Sequence, residues 1–133
     1  MQMRNLKVPI SLGELIDKIT ILRIKFNKIN SNEAQKNIRL ELEKLEQILN
    51  KTISINTNLK NFEIKLSKIN QSLWDIEDHL REKEKAKKFD KKFISLARMV
   101  YYKNDERAKI KRMINKSFGS ELIEEKSYTQ YSL

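Results

Sequence analysis

The middle of the chain carries an apolar repeat that leaves few folds open. Apolar residues follow one another there in steps of three and four, at Leu59, Phe62, Leu66, Ile69, Leu73, Ile76 and Leu80. This spacing lines up one apolar stripe along an α-helix, as in the seam of a coiled coil. It predicts a helix over about residues 59–86 that packs its stripe against a second long helix.

The partner of that helix is predicted to follow directly in the chain. The charged stretch 81–92 interrupts the apolar pattern, and Asp90 suits the N-cap of a further helix. The apolar positions of this helix are Phe93, Leu96, Ala97, Val100, Ile110 and Ile114. A helix over about 91–116 is therefore predicted, with Gly119 at its C-terminal cap. The two helices would form a long antiparallel hairpin.

Two shorter helices are predicted before the hairpin. Ser11 and Glu14 match a capping box, in which each side chain can bond the backbone N–H of the other residue. Apolar stripes then indicate a helix over about 12–29 and a second over about 33–49. Only two glycines and one proline occur in the 133 residues, so a turn-rich β architecture is disfavoured.

These segments together predict an all-α four-helix bundle in which helices three and four form the long hairpin. Residues 1–133 are expected to form a single domain, with a tail over 119–133. No apolar run approaches the roughly 20 residues that span a bilayer. The first residues also lack an apolar signal core. We therefore expect a cytoplasmic protein without a membrane span.

The composition argues against most metal and nucleophile chemistry. The chain has no cysteine and a single histidine, His79. Thiolate zinc sites and cysteine nucleophiles are thus excluded, and a histidine site lacks ligands. Neither a phosphate-binding loop nor a nucleophile elbow is present. We predict no metal and no cofactor.

Positive charge is concentrated in the second half of the chain. The formal net charge is +10, and residues 81–116 hold 14 Lys or Arg against 5 Asp or Glu. Such a block favours nucleic acid, an anionic membrane surface or a phosphorylated ligand as partner. Lysine is weak evidence because the whole chain is rich in Lys, Asn and Ile. The arginines of the block are more informative: Arg81, Arg98, Arg107 and Arg112.

The fourth predicted helix places polar residues where its apolar stripe should continue. Asn104, Arg107 and Lys111 extend the face begun by Phe93 and Val100. Burying such groups without partners would cost several kcal/mol. They are therefore expected to be paired or to line a cavity.

The antiparallel hairpin suggests which residues these groups meet. It sets Glu77 and Asp78 opposite Arg98, and Asn70 opposite Arg107. In a structural interpretation, the carboxylates and arginines form a salt-bridge network that fixes the register of the two helices. In a functional interpretation, the surplus arginines bind a phosphate or a carboxylate through forked hydrogen bonds.

The functional interpretation defines a set of candidate residues. Four cations would bind the anion, and Tyr101 and Asn104 would orient it. The predicted ligand-binding residues are Arg98, Tyr101, Asn104, Arg107, Lys111 and Arg112. If the protein is an enzyme, Glu77 and Asp78 are weak candidates for the acid or base.

Five blocks of the sequence are familiar as a set: Val8–Leu22, Leu73–Asp78, Leu96–Tyr101, Asn104–Arg112 and Gly119–Tyr128. In this order they resemble a family of short bacterial proteins classed as a domain of unknown function. Its members are often encoded beside glycosyltransferase genes for surface polysaccharides. The resemblance implies a cell-envelope sugar pathway as the setting, and it implies no site residues.

Three function classes stay open at this point. The first is a protein that binds an anionic small molecule, such as a sugar phosphate, a nucleotide sugar or a carboxylate. The second is a small enzyme that relies on Arg-rich electrostatic catalysis. The third is a basic nucleic-acid-binding protein, which is less favoured because no nucleic-acid-binding motif is present. The long seams also favour a two-fold homodimer.

Overall fold

The structure, a computed structural model, describes residues 4–54 and 56–133. Residues 1–3 and 55 of the predicted domain lie outside the described residues. Neither described range contains a strand, and the predicted all-α bundle is confirmed. The four helices are α1 (Leu12–Lys28), α2 (Asn32–Thr52), α3 (Thr57–Lys85) and α4 (Lys91–Ser117).

Each helix begins at a side-chain cap. Ser11, Ser31, Asn56 and Asp90 each accept a hydrogen bond from the backbone N–H three residues further on. Such a cap is typically worth about 1 kcal/mol of stability, because it satisfies a donor that the helix leaves unpaired. The predicted caps Ser11 and Asp90 are confirmed. α2 continues to Thr52, beyond its predicted end at residue 49.

Both helices of the hairpin end at a residue in the left-handed region. Lys87 follows α3 with φ of 55°, and the Lys88 N–H donates to the Lys83 carbonyl at 2.9 Å. Gly119 follows α4 with φ of 65°, as expected of the predicted cap. Glycine adopts this conformation without steric cost, whereas lysine does not.

Helix α1 is the centre of the bundle. It packs against each of the other three helices, while α3 and α4 form the most extensive pair. α2 packs mainly on α1. The buried apolar residues where α1 meets its neighbours are Leu15, Ile16, Ile19, Leu49, Leu59, Leu66 and Ile114.

The hairpin reaches beyond the part that α1 covers. The last buried residue of α3 is Leu73, and the first of α4 is Lys111. Residues 74–103, here called the distal arm, lie beyond that part and contain no buried residue. The two helices of the arm therefore shield their apolar seam only partly.

After α4 the chain has no regular secondary structure and turns back along that helix. Glu125 pairs with Arg112 at 3.0 Å. Further along, the Tyr131 hydroxyl donates a hydrogen bond to the Asp105 carboxylate. Residues 120–133, here called the C-terminal segment, thus run antiparallel to α4 on its outer side.

Candidate functional site

Asp17 of α1 is the centre of a buried polar cluster. Its carboxylate is inaccessible to solvent and accepts two hydrogen bonds from the Arg107 guanidinium, the Nε–Oδ1 distance being 2.9 Å. The amide of Asn70 donates to the same Oδ1 at 2.9 Å. The hydrogen bonds from Asp17 raise the pKa of Arg107, because they favour the charged guanidinium. Buried groups are thus fully paired, as desolvation requires.

Lys111 connects the buried Asp17 with two carboxylates nearer the surface. Its ammonium Nζ lies 2.7 Å from Glu14 Oε2, 3.9 Å from Asp17 Oδ2 and 3.7 Å from Glu124 Oε2. The Glu14 carboxylate was predicted to complete a capping box with Ser11. Ser11 does accept from the Glu14 N–H at 3.1 Å, but the Glu14 carboxylate bonds Lys111 instead, since a buried ammonium needs a counter-charge.

Gly13 lets α4 approach α1 closely enough to build this cluster. Its backbone N–H donates to Asn115 Oδ1 at 2.7 Å. A Cβ at this position would lie 2.5 Å from the Lys111 carbonyl oxygen and 2.9 Å from Asn115 Oδ1. Only glycine therefore fits at this contact.

A second periodic pattern in α1, beside its apolar stripe, indicates that Asp17 is buried. Gly13, Asp17, Thr20 and Ile24 recur in steps of four and three, and all four are buried. The Thr20 hydroxyl donates to the Asp17 carbonyl at 2.7 Å and accepts from Asn70 at 2.9 Å. A second stripe of small and polar residues indicates a face that packs closely on polar partners.

The predicted pairing of helix-three carboxylates with helix-four arginines is wrong. Glu77, Asp78 and Arg98 are all exposed, and none forms an ion pair with any residue that the structure describes. Arg107 pairs with Asp17 of α1, 90 positions away in the chain. Surface charges can remain in water, so nothing forces them together. Asn70 and Arg107 do meet as predicted, through their shared acceptor Asp17.

Two adjoining clefts open on the cluster, each of about 470 Å³. Small-molecule sites typically measure ~300–1,000 Å³. The inner cleft lies between α1, α4 and the C-terminal segment and is lined by Glu14, Tyr101, Asn104, Arg107, Lys111, Glu124 and Tyr128, among others. The tail cleft lies between α4 and the C-terminal segment and is lined by Tyr102, Asp105, Lys109, Lys111, Arg112, Glu124, Glu125, Lys126 and Tyr131, among others.

Carboxylates of the C-terminal segment neutralise the cations of the tail cleft. Glu124 lies 3.0 Å from Lys126 Nζ, and hydrogen bonding to that ammonium lowers the pKa of Glu124. Glu125 faces Arg112 across the same cleft. The cleft lining as a whole holds four carboxylates and four cations.

Tyrosines close the far end of the clefts. The rings of Tyr101 and Tyr131 meet edge to face with centroids 5.3 Å apart. The hydrogen bond to Asp105 raises the pKa of Tyr131 to about 12, because it stabilises the neutral phenol beside a negative charge. The clefts thus combine charged groups with aromatic rings.

The structure brings five of the six predicted ligand-binding residues to these clefts. Tyr101, Asn104 and Arg107 line the inner cleft, Arg112 lines the tail cleft, and Lys111 lines both. Arg98 lies outside both clefts, in the distal arm. The weak catalytic candidates Glu77 and Asp78 also lie outside them.

Two features are absent from the residues that the structure describes: a cluster of possible metal ligands and a membrane-spanning helix. No group of three or more His, Asp or Glu residues within residues 4–54 and 56–133 is placed to hold a metal ion. Within the same residues, none of the helices is both long and apolar enough to pass through a bilayer.

The fold and the clefts together define an α-helical bundle with a charged cleft system beside its central helix. The model of DUF6165, a family of unknown function, matches residues 6–132. The chain therefore belongs to this family, and the predicted membership of a family with a domain of unknown function is confirmed. No curated protein and no solved structure matches the chain.

Proposed function

We propose that this protein binds a small anionic ligand in the clefts between α4 and the C-terminal segment, with Lys111 and Arg112 holding the anion. The ligand classes are a sugar phosphate, a nucleotide sugar or a carboxylate. One observation carries the proposal: two carboxylates of an irregular segment, Glu124 and Glu125, lie 3.7 and 3.0 Å from these two cations. They occupy positions that a ligand phosphate or carboxylate can take.

The two cations differ in how firmly they are held. Lys111 is buried and bonded to Glu14 at 2.7 Å, so its ammonium is fixed in place. The Arg112 side chain is 41% exposed, and its partner Glu125 is 75% exposed. Exposed ion pairs of this kind contribute only about 0–1 kcal/mol. An external anion therefore displaces Glu125 at little cost and gains the forked donors of Arg112.

The aromatic residues of the clefts favour a ligand larger than a bare ion. Tyr101, Tyr102, Tyr128 and Tyr131 contribute to the lining. Phenol rings pack against the apolar face of a sugar or a base while their hydroxyls bond polar groups. A phosphate joined to a sugar combines both features. The gene setting implied by the family resemblance, beside glycosyltransferases, points to the same ligand class.

Calorimetric titration tests the proposal with inorganic phosphate, glucose 1-phosphate and UDP-glucose, each at matched chloride concentration. We expect binding of at least one phosphorylated sugar, with thermal stabilisation that grows with its concentration. Arg112→Met should weaken binding at least about tenfold, because a charge-assisted hydrogen bond contributes about 1.5–3 kcal/mol.

Arg23→Met is the matched control. The Arg23 side chain is 43% exposed, close to the value for Arg112, and it pairs with Glu46 at 3.2 Å on the other side of the bundle. It should leave the affinity unchanged. Glu125→Gln should instead strengthen binding several-fold, since it removes the internal competitor for Arg112. Equal losses in both arginine variants, or no binding of any of the three compounds, would contradict the proposal.

A further inference from the structure

One face of α4 is covered by α1 at one end of the helix and open at the other. Residues along this face recur in steps of three and four, at Ile94, Ala97, Tyr101, Asn104, Ala108, Lys111 and Asn115. Lys111 bonds Glu14, and Asn115 bonds Gly13, so this end of the stripe faces α1. Residues three and four apart share a helix face. The stripe therefore continues into the distal arm as Ile94, Ala97 and Tyr101.

The same face of α3 behaves in the same way. Glu63 pairs with Arg23 of α1 at 3.6 Å, and Asn70 bonds Asp17. Further steps of four, three and four lead to Trp74, Glu77 and Arg81. The distal arm thus presents six residues on the side that α1 covers lower down: Trp74, Glu77, Arg81, Ile94, Ala97 and Tyr101.

This open face has the composition of an interface. Ile94 is 56% exposed, and Tyr101 is 47% exposed although one edge of its side chain contacts Tyr131 of the C-terminal segment. Trp74 and Ala97 are half-buried. Glu77 and Arg81 are exposed and form no ion pair with any described residue. A face that carries apolar groups and charges of both signs can be complementary to a second copy of itself.

We propose that the distal arm is a dimerisation surface and that a second copy of this chain lies on it, antiparallel, about a two-fold axis near Ala97. In such an interface residue i meets residue j of the partner, and j meets i. A single axis must therefore pair every residue of the face consistently. Because α3 and α4 are in fixed register, an axis chosen for the residues of α4 must also pair the residues of α3.

The positions along the arm satisfy that test. Asn70 and Arg107 share Asp17 as their acceptor, which indicates that residues of α3 and α4 at the same level have numbers that sum to about 177. An axis midway between Ile94 and Tyr101 on α4 lies at the level of residue 79 or 80 on α3. That level is midway between Glu77 and Arg81. One axis therefore sets Ile94 against the partner subunit's Tyr101 and Glu77 against the partner subunit's Arg81.

The length of the open face agrees with the same axis. An axis near residue 79 places the tip of the partner arm, at the partner subunit's Lys87, at the level of residue 71. Asn70 is the position at which α3 bonds Asp17 of α1. The partner arm thus extends to the level at which α1 begins, beside the C-terminal segment that contacts Tyr101, and the four helices of the two arms form a bundle. A nucleic acid fits this face less well because the charges of Glu77 and Arg81 cancel and leave the face without a net positive charge.

Sedimentation equilibrium of the full chain tests the surface. We expect a dimer of the 15.9 kDa chain and a dimer dissociation constant raised at least about tenfold in Ile94→Lys, because the lysine replaces a buried apolar group in both halves. Leu40→Lys is the matched control, since Leu40 on α2 is also 56% exposed. A monomer at all concentrations, or equal effects of the two substitutions, would overturn the proposal.

Charge reversal and cross-linking test the register. Glu77→Arg and Arg81→Glu should each raise the dissociation constant several-fold, and the double variant should restore it. The chain has no cysteine, so Ala97→Cys should yield a covalent dimer on mild oxidation, whereas Ser95→Cys, which lies off the stripe, should not. Equal cross-linking at the two positions, or no recovery in the double variant, would overturn the two-fold arrangement.

Discussion

The lower part of the hairpin, residues 57–73 of α3 and 104–117 of α4, and the distal arm belong to the same two helices but differ in how their charged residues are paired. In the lower part, α1 lies over the hairpin, and Asp17 is fully buried with both of its oxygens bonded by Arg107. In the distal arm, Glu77 and Arg98 are exposed and have no ion-pair partner among the described residues. Both regions offer an acid and an arginine, yet only one forms a network.

The difference shows that burial makes pairing obligatory, whereas exposed charges pair at some positions, as Lys83 does with Asp90 at 3.0 Å, and stay unpaired at others. A carboxylate taken out of water must find a counter-charge and hydrogen-bond donors, so pairing of Asp17 is obligatory. A carboxylate in water gains little from an ion pair and loses side-chain entropy in forming it. Covering the distal arm with a second copy of the chain would impose on Glu77 and Arg81 the condition that α1 imposes on Asp17.

The largest expected effect separates the two regions directly. Arg107→Met should lower the free energy of unfolding by about 3–5 kcal/mol, because it leaves the Asp17 charge buried without its main partner. Asp17→Asn should cost less, about 1–3 kcal/mol, since the Arg107 side chain is 28% exposed and reaches water. Urea denaturation measures both.

Arg98→Met is the control for that prediction in the distal arm. It should change the free energy of unfolding by no more than about 0.5 kcal/mol, as expected of an exposed charge. If Arg98→Met lowered the free energy of unfolding as much as Arg107→Met, the proposed difference between the two regions would be wrong.

The close contact between α1 and α4 provides the next test. Gly13→Ala should destabilise the protein by about 1–3 kcal/mol, because the new methyl group would overlap the Lys111 carbonyl and force the helices apart. Helix propensity alone predicts the opposite sign, since alanine favours helices over glycine by about 1 kcal/mol. The sign of the change in melting temperature of Gly13→Ala therefore tests the close contact between Gly13 and the Lys111 carbonyl.

A smaller and opposite effect is expected at the tip of the distal arm. Lys87 adopts φ of 55° at the end of α3, where glycine is the usual residue. Lys87→Gly should stabilise the protein by about 0.5–1 kcal/mol, because glycine tolerates the left-handed region. Urea denaturation of Lys87→Gly beside Lys88→Gly, which changes the neighbouring position, isolates this conformational effect; destabilisation by Lys87→Gly would contradict it.

The smallest effect is local and concerns the contact of the C-terminal segment with α4. The hydrogen bond to Asp105 raises the pKa of Tyr131 from 10.0 to about 12. A raised pKa means that the contact stabilises the docked segment below pH 10 and is lost as the pH rises through about 12. Tyrosinate absorbance should show one late-titrating phenol that is absent in Tyr131→Phe and returns toward 10 in Asp105→Asn. A late phenol that persists in Tyr131→Phe would assign the shift to another residue.

The helices and their ends were predictable because their signals are local. The stripe from Leu59 to Leu80 and the caps Ser11 and Asp90 depend on neighbours within a few residues, and the structure confirms them. The approximate register of the hairpin was also predictable, because a short turn between two long helices leaves few alternatives. It correctly brought Asn70 to the level of Arg107.

The partner of Arg107 was not predictable in the same way. Asp17 is 90 positions away, and the placement of α1 over one part of the hairpin depends on packing that no local pattern encodes. The stripe formed by Gly13, Asp17 and Thr20 is the available signal, and it indicates a close polar contact without naming its partner. The path of residues 120–133 has no periodicity at all, so the clefts that this segment completes had no signature in the sequence.

The amino-acid sequence by itself determined that this chain forms four helices, where they begin, and that the last two fold back on each other, because hydrogen bonds and apolar spacing within each segment suffice for that. Only the tertiary structure decided which charges are buried and which face water. Desolvation depends on what covers a side chain, and here the cover comes from α1 and from the C-terminal segment. α1 is distant in the chain from the positions on α4 that it covers, and the C-terminal segment, which follows α4 directly, has no periodicity that indicates its path.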